Sequence, residues 1–348
     1  MVSLASTSFF GCFFMPSSFS RPFKGFVWQG GSYFNLEGGA PVFVPSFAAM
    51  NLRASRSTTP AELVRVHGES SETSGDALAT EEPLEIRLLW GEGRTATAAV
   101  TMRTPGADAE LALGFLFAEG VIRNAGDVVA VVSGDGSAGS ERGAEAEANV
   151  VEVALAAGIE PDLAPLERHF FSNSSCGVCG KAAFDVLATR AEPPSGPGPF
   201  VPREVVAALP DRLRAAQGLF DATGGLHAAA LFDADGSLVA VREDVGRHNA
   251  LDKLVGASLR AGELPWGERI VLVSGRSSYE ILQKSLAAGA RIVLSVSAPS
   301  SLAVEMAGRF GVTLVGFLRG DRFNVYAGAE RLGLVAGRPA RLPIVAGG

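Results

Sequence analysis

Apolar and polar positions alternate most regularly in the second half of the chain. Period-two runs predict strands at 227–233, 238–244, 269–275, 291–297, 312–318 and 322–328. Between and before them, helical spacing predicts helices at 203–220, 250–262, 279–289 and 301–311, the first bent or broken at Pro210. Apolar, β-branched strands separated by short helices indicate a partly parallel sheet that is covered on both faces. The predicted fold class is therefore α/β with a mixed sheet.

The first half of the chain has a different pattern. Strands are predicted at 84–90, 95–103, 127–133 and 148–155, and a helix at 107–122. Glycine- and charge-rich residues 134–147 read as a solvated loop, and 192–199 as a break. We divide the chain into three parts: a leader or upstream extension (1–57), a small N-terminal α+β domain (58–165), and a larger α/β domain (166–348).

Residues 1–50 are rich in Phe and Ser, and no acidic residue precedes Glu37. This composition fits either an organelle transit segment or an extension outside the folded domain, with Met50 as the natural start. We favour the extension. No role is assigned to Cys12.

Composition narrows the classes of protein. The 348 residues carry a net charge of −7, which gives no reason to expect nucleic acid as the partner. No apolar run is long enough for a membrane span. The 3 cysteines exclude a disulfide framework and suit a reducing compartment, so we expect a cytoplasmic protein.

Candidate ligand-binding residues follow the predicted strands. In an open α/β sheet, ligands bind outside the carboxyl ends of the strands. Here these ends carry the sequences EDVGRHNA, SGRSS, SAPSS and FLRGDR. Arginines and helix-initiating serines at one sheet edge would suit a phosphorylated ligand. The candidates placed by position alone are Ser274, Gly275, Arg276, Ser277 and His248.

Each of these segments also has a plainer explanation. The two serine pairs could be helix N-caps, which taken singly is the better account. The arginines could form surface ion pairs, Asp244 could cap a helix, and His248 could be a hydrogen-bonded structural residue. The convergence of four segments at one edge is what favours a binding site.

The stretch SSCGVCGK contains Cys176 and Cys179, a spacing shared by three chemistries. A structural zinc site would need two more ligands, and no second cysteine pair exists outside the leader. A zinc deaminase would need H-x-E with P-C-x-x-C, but Ser175 replaces the proline and the triplet His67–Glu69 lies far upstream, before the first predicted strand. A reactive thiol fits best, since a helix is predicted at 180–191 and its start would stabilise a thiolate. The residues leave persulfide transfer and dithiol exchange both open, and no metal is expected.

Eight blocks in order resemble the formate dehydrogenase accessory sulfurtransferase family, FdhD. They include TMRTPGADAELALGFLFAEGVI, SSCGVCGK, REDVGRHNALDKLVG, SGRSSYEILQKS and GFLRGDRFNVYAG. The resemblance covers the chain from about residue 60 to its C-terminus. It implies a cytidine-deaminase-like α/β domain with a smaller N-terminal domain.

The resemblance also implies a function. Members of the family take sulfur from a cysteine desulfurase as a persulfide and deliver it to the molybdenum bis(guanine dinucleotide) cofactor of formate dehydrogenase. Cys176 matches the persulfide-carrying cysteine and Cys179 its auxiliary neighbour. The family's cofactor-binding stretch matches Phe317, Leu318, Arg319, Gly320, Asp321 and Arg322. The implied partners are a cysteine desulfurase, the formate dehydrogenase catalytic subunit and a second copy of the chain.

Two alternatives to a sulfur carrier are kept. One is a scaffold that binds the cofactor and docks partners without carrying sulfur. The other is a dithiol oxidoreductase that uses Cys176 and Cys179.

Overall fold

The structure is a computed structural model, and it describes residues 26–29, 32–35, 57–133, 149–164, 166 and 198–334. The chain divides into two units, Met1–Leu52 and Arg53–Gly348. In the first unit, β1 (Phe26–Gln29) and β2 (Ser32–Asn35) form an antiparallel hairpin. The three-part division predicted from the sequence stays a prediction.

The centre of the second unit is a six-stranded mixed sheet. Its strands are β9 (His227–Phe232), β10 (Leu238–Asp244), β11 (Ile270–Val273), β12 (Ile292–Ser295), β13 (Thr313–Arg319) and β14 (Arg322–Ala327). They lie in the order β10-β9-β11-β12-β13-β14, and β11, β12 and β13 are mutually parallel. The predicted mixed α/β sheet is thus confirmed, with every strand of its C-terminal part in place.

Helices cover both faces of this sheet, as the apolar strands require. On one face lie α4 (Arg247–Ala261), α5 (Tyr279–Ala287) and α6 (Ser301–Phe310), which pack on one set of alternating strand residues. On the other face lies α2 (Arg203–Ala216), followed directly by α3 (Gly218–Thr223).

Of the predicted bend or break at Pro210, the break is wrong. Helix α2 runs through Pro210, and the interruption comes at Gln217. Proline costs one backbone hydrogen bond in a helix interior. Three buried side chains of α2 pack against the sheet and offset that loss: Val206, Leu209 and Leu213.

A second, four-stranded sheet is built from the first half of the chain. It contains β5 (Glu82–Trp90), β6 (Arg94–Arg103), β7 (Val128–Ser133) and β8 (Val150–Leu155) in the order β6-β5-β8-β7. Helix α1 (Asp108–Ala118) packs on one face of this sheet. A small sheet with one packed helix was predicted here, and it is present.

The sequence pattern missed a ten-pair antiparallel ribbon at the start of the second unit. Strands β3 (Thr58–His67) and β4 (Ser70–Ala79) form it, and most of their residues are exposed. Because polar residues occupy both faces, no period-two signal marks these strands. The triplet His67–Glu69 therefore lies at the end of β3 and in the hairpin turn, not before the first strand.

The two sheets are joined through helices α1 and α4, which cross at two glycines. A methyl group on Gly114 would overlap the carbonyl oxygen of Asp252, and one on Gly256 would overlap that of Glu110. Glycine at both positions lets the two backbones touch. Around the crossing, Arg242 of β10 donates to both carboxylate oxygens of Glu110, at 2.6 and 3.0 Å.

Helices α4 and α5 are joined by a buried ion pair. Lys284 Nζ lies 2.8 and 3.0 Å from the two carboxylate oxygens of Asp252. Burial raises the pKa of Asp252 to about 6, against the opposing pull of Lys284. Burial disfavours the Lys284 ammonium, but the carboxylates of Asp252 and Glu119 outweigh burial and raise its pKa. Neither charge would be tolerated here without the other.

Substituting Gly256 by Ala should destabilise the protein. The added methyl group meets the Glu110 backbone, which cannot move aside, so the free energy of unfolding should fall by about 3 kcal/mol. Gly308→Ala is the matched control, since Gly308 lies at an exposed position of α6 with open space around its Cα. That control should be neutral or stabilising by up to about 1 kcal/mol. Equal effects of the two substitutions in urea unfolding would contradict the close crossing.

The Asp252→Asn variant should change how stability depends on pH. Because the folded-state pKa of Asp252 is raised, its contribution to stability is fully present below about pH 4 and is lost as the pH rises through about 6. Over this range the free energy of unfolding of the wild-type protein should fall by up to about 3 kcal/mol from this group, and the variant should lack this fall. Urea unfolding between pH 4 and pH 7 measures it, with exposed Asp211→Asn as the control. A wild-type-minus-variant difference that stays constant over this range would refute the assignment.

Candidate functional site

The predicted convergence of four chain segments at one edge of the six-stranded sheet is present. Strands β11, β12 and β13 run parallel, so the segments that follow them emerge together. β10 runs antiparallel to β9, which runs antiparallel to β11, so the end of β10 reaches the same edge. Whether a ligand binds there stays a prediction.

The turn after β10 is fixed by the buried carboxylate of Asp244. It accepts hydrogen bonds from the amide of Gly246 at 2.8 Å and from the amide of Thr104 at 3.1 Å. Asn249 Nδ2 donates to it at 3.1 Å, and Lys253 Nζ forms an ion pair with it at 2.6 Å. Asp244 therefore ties the loop before α1 to the first turn of α4. Its role in the described structure is to hold this turn.

Two of the three serines in the segment after β11 differ in their hydrogen bonding. Ser274 Oγ accepts from the amide of Ala228 at 2.9 Å, so this hydroxyl is engaged with the neighbouring strand. Ser277 is fully buried, and its Oγ has no hydrogen-bond partner among the described residues. The Ser277 carbonyl accepts from the amide of Ser300 at 2.9 Å, which joins the loops that follow β11 and β12.

The N-cap explanation holds for one of the two serine pairs. Ser300 Oγ accepts from the amide of Ala303 at 3.2 Å and caps α6. Ser278 occupies the N-cap position of α5 without making a capping bond. Its hydroxyl instead lies 3.3 Å from His248 Nε2.

His248 joins the N-terminal turns of α4 and α5. Its Nε2 lies 2.9 Å from a carboxylate oxygen of Glu280. This contact stands one helical turn above the Asp252–Lys284 pair, because each helix contributes residues four apart. His248 is thus partly exposed, and its contact with Glu280 is the outer of two polar contacts that join α4 to α5 at the sheet edge.

A second histidine, His227, belongs to this edge and was not predicted. A Cβ on Gly275 would lie 3.4 Å from His227 Nδ1 and 3.5 Å from Arg247 Cδ, which places these side chains against the predicted segment. Burial, and then the charges of Arg247 and His248, lower the pKa of His227. One feature of the sequence could have located His227, namely its place at the start of β9. Because β9 runs antiparallel to both of its neighbours, its start lies beside the ends of β10 and β11.

The predicted segment Phe317–Arg322 comprises the last three residues of β13, a two-residue turn and the first residue of β14. Phe317 is exposed and has a φ of 53°, a left-handed conformation that is rare for a bulky residue. Its amide donates to the Ser297 carbonyl at 3.0 Å. The side chain of Leu318 is fully buried in the sheet core, so of the predicted stretch this residue can offer a ligand only its backbone.

Two arginines face each other across this hairpin. Arg319 and Arg322 are paired in the register of β13 and β14, and Gly320 and Asp321 form the turn between them. Neither arginine makes an ion pair with any residue in the described part of the chain. Like charges directly opposite each other are unfavourable. An anion between or beside the two guanidinium groups would remove this repulsion.

Arg276 is also exposed, on the loop that precedes α5. Cys176 and Cys179 lie outside the described residues, so the reactive-thiol prediction is unaffected by the geometry above. Within those residues, no helix is long and apolar enough to cross a membrane.

Comparison with known proteins shows which family this chain resembles. The sequence profile of the FdhD/NarQ family matches residues 79–333. A relative named sulfur carrier protein FdhD, from Streptomyces coelicolor, is 50% identical over 284 residues, which cover 81% of this chain and 98% of the relative. One of the same name from Anaeromyxobacter dehalogenans is 52% identical over 270 residues, covering 74% and 89%.

A solved structure shares the fold. It is a crystal structure of a protein described as a formate dehydrogenase accessory protein from Desulfotalea psychrophila, with a TM-score of 0.59. The match is 22% identical and covers 79% of this chain and 99% of that one. On the profile match and the near full-length relatives, this chain belongs to the FdhD/NarQ family.

Proposed function

We propose that this chain is a sulfur carrier required for formate dehydrogenase activity. The observation that carries the proposal is the 50% identity to a sulfur carrier protein FdhD over 98% of that relative's length. The match covers 81% of this chain, and the blocks on which the resemblance rests include the cysteine pair. The sheet-edge geometry supports an anionic ligand.

Cys176 is proposed to carry the sulfur. Its thiolate attacks the terminal sulfur of a persulfide on a cysteine desulfurase, the donor S–S bond breaks, and the donor cysteine leaves as a thiolate. The product is a persulfide on Cys176. The glycines at 177 and 180 and the nearby Lys181 favour an accessible thiolate.

The proposed acceptor is the molybdenum bis(guanine dinucleotide) cofactor, bound as a substrate. The terminal sulfur of the Cys176 persulfide passes to the metal and Cys176 leaves as a thiolate. The transferred sulfur becomes a sulfido ligand by taking two electrons from the metal centre of that substrate. Arg319 and Arg322 are proposed to bind the pyrophosphates of the cofactor, whose anionic oxygens match guanidinium geometry.

The proposed partners are a cysteine desulfurase, the formate dehydrogenase catalytic subunit and a second copy of the chain. A persulfide is reduced or exchanged by free thiols, so the relay requires direct handover between proteins. A cytoplasmic location follows from this proposal.

Replacing Cys176 should abolish sulfur transfer. After incubation with a cysteine desulfurase and radiolabelled cysteine, mass analysis without reductant should show one added sulfur on Cys176 in the wild-type protein. Cys176→Ala should carry none and should fail to activate formate dehydrogenase in cells that lack the native carrier.

Cys12→Ala is the matched control and should behave as the wild-type protein. A Cys176–Cys179 disulfide without added sulfur would support a dithiol oxidoreductase instead. Activation of formate dehydrogenase by Cys176→Ala would support a scaffold and overturn the relay.

Removing the hairpin arginines should weaken nucleotide binding. Guanosine diphosphate (GDP) serves as a probe for one nucleotide arm of the cofactor. Arg319→Gln or Arg322→Gln should weaken GDP binding about tenfold or more, since each removes a charge-assisted contact to phosphate. The wild-type affinity should also fall as salt is added.

Titration calorimetry at two salt concentrations measures both effects. Arg260→Gln is the control, because Arg260 lies on the last turn of α4, away from the edge. Unchanged GDP affinity in both hairpin variants would overturn the assignment of the phosphate site.

A further inference from the structure

Two exposed aromatic residues belong to the strands that carry the hairpin arginines, and Tyr326 shares the exposed face of β14 with Arg322. The exposed fractions are 42% for Phe317 on β13 and 37% for Tyr326 on β14. On β14 exposed residues alternate with half-buried ones, whereas on β13 the four residues before Phe317 are all buried. The sequence-based candidate stretch ends at Arg322 and leaves Tyr326 without a role.

The Tyr326 ring is held against the backbone of the edge. A Cβ on Gly316 would lie 3.1 Å from Tyr326 Cε2 and 2.7 Å from Pro299 Cδ. A larger residue at 316 would therefore push the tyrosine ring and the proline apart. Asn324 Nδ2 lies 3.5 Å from the tyrosine hydroxyl, on the same face of β14. These contacts fix where the ring lies while leaving part of its surface open.

Phe317 is held on the same edge at a conformational cost. Its positive φ persists because its amide is bonded to Ser297 and the following side chain, Leu318, is locked in the core. Strained non-glycine residues of this kind concentrate at ligand-binding sites. The strain keeps an aromatic side chain exposed at the ligand-binding edge, although packing alone would favour burying it.

Aromatic surface beside paired arginines matches one class of ligand. A nucleotide presents a flat base that stacks on aromatic rings and phosphates that pair with guanidinium groups. Protein partners, in contrast, would leave the repulsion between Arg319 and Arg322 unrelieved unless they supplied carboxylates. The combination favours a nucleotide.

We propose that Tyr326 is a base-stacking residue of this site, with Gly316 and Pro299 setting the position of its ring. It would receive a purine base of the nucleotide whose phosphates bind Arg319 and Arg322. The assignment rests on the proposed function, in which that nucleotide is an arm of the guanine dinucleotide cofactor.

The test compares GDP with pyrophosphate, which has no base. Tyr326→Leu should weaken GDP binding by about 5- to 100-fold, the usual effect of losing one stacked ring, and leave pyrophosphate binding unchanged. Tyr326→Phe keeps the ring and should stay within about twofold of the wild-type protein. The arginine variants should weaken both ligands.

Phe200→Leu is the matched control. Phe200 is an exposed aromatic residue beside Gly333, at the opposite end of the same sheet, and its loss should alter neither affinity. In Tyr326→Trp, a stacked base should quench the indole fluorescence with GDP and not with pyrophosphate. This second readout holds even if Tyr326→Leu does not fold.

Three results would overturn the stacking role while leaving the cofactor site in place. They are unchanged GDP affinity in Tyr326→Leu, equal loss of GDP and pyrophosphate, and a change of oligomeric state with GDP affinity unchanged. The last would make the aromatic pair a protein interface. A wild-type protein that binds neither ligand would overturn both the proposed phosphate site and the stacking role.

Discussion

The backbone contact between helices α1 and α4 is the constraint on which the arrangement of this protein depends. Two helices approach this closely only where neither has a side chain at the crossing, and Gly114 and Gly256 provide that gap. The crossing joins α1, which packs on the four-stranded sheet, to α4, which packs on the six-stranded sheet. It also fixes the axis of α4, whose first turn carries Arg247 and His248 to the sheet edge.

Polar contacts at that edge fall into two groups. In one group, each polar side chain is bonded to other residues of the chain. Asp244 accepts hydrogen bonds from several donors, His248 contacts Glu280, and Ser300 caps its helix. These contacts hold the turns in place. The other group comprises arginines that make no ion pair within the described residues: Arg276, Arg319 and Arg322. Turns held by hydrogen bonds therefore lie at the same edge as arginines that have no ion-pair partner in the described residues. This is the arrangement expected of a preorganised anion site.

The sequence predicted the sheet edge well and individual side-chain roles less well. Parallel strands end at one edge whatever their details, so the segments that carry the candidate residues could be assigned to one edge from topology alone. That Ser274 bonds a neighbouring strand, or that Leu318 faces the core, depends on strand register and on a bulge between Gly316 and Arg319. His227 was missed because antiparallel pairing, not chain order, brings it to the edge. The β3–β4 ribbon was missed because it buries too little to leave a pattern.

The sequence by itself determined the element order from β5 onwards in the described residues, the mixed α/β class and the family, because these follow from hydrophobic period and ordered motifs. Residue type and spacing also pointed to a reactive thiol at Cys176 and Cys179, and the resemblance to the family then singled out Cys176. Only the tertiary structure decided that α2 continues through Pro210, that two glycines bring the sheets together, and that the Tyr326 ring lies against Gly316. Each of these depends on contacts between residues distant in the chain, whose energies no local pattern contains.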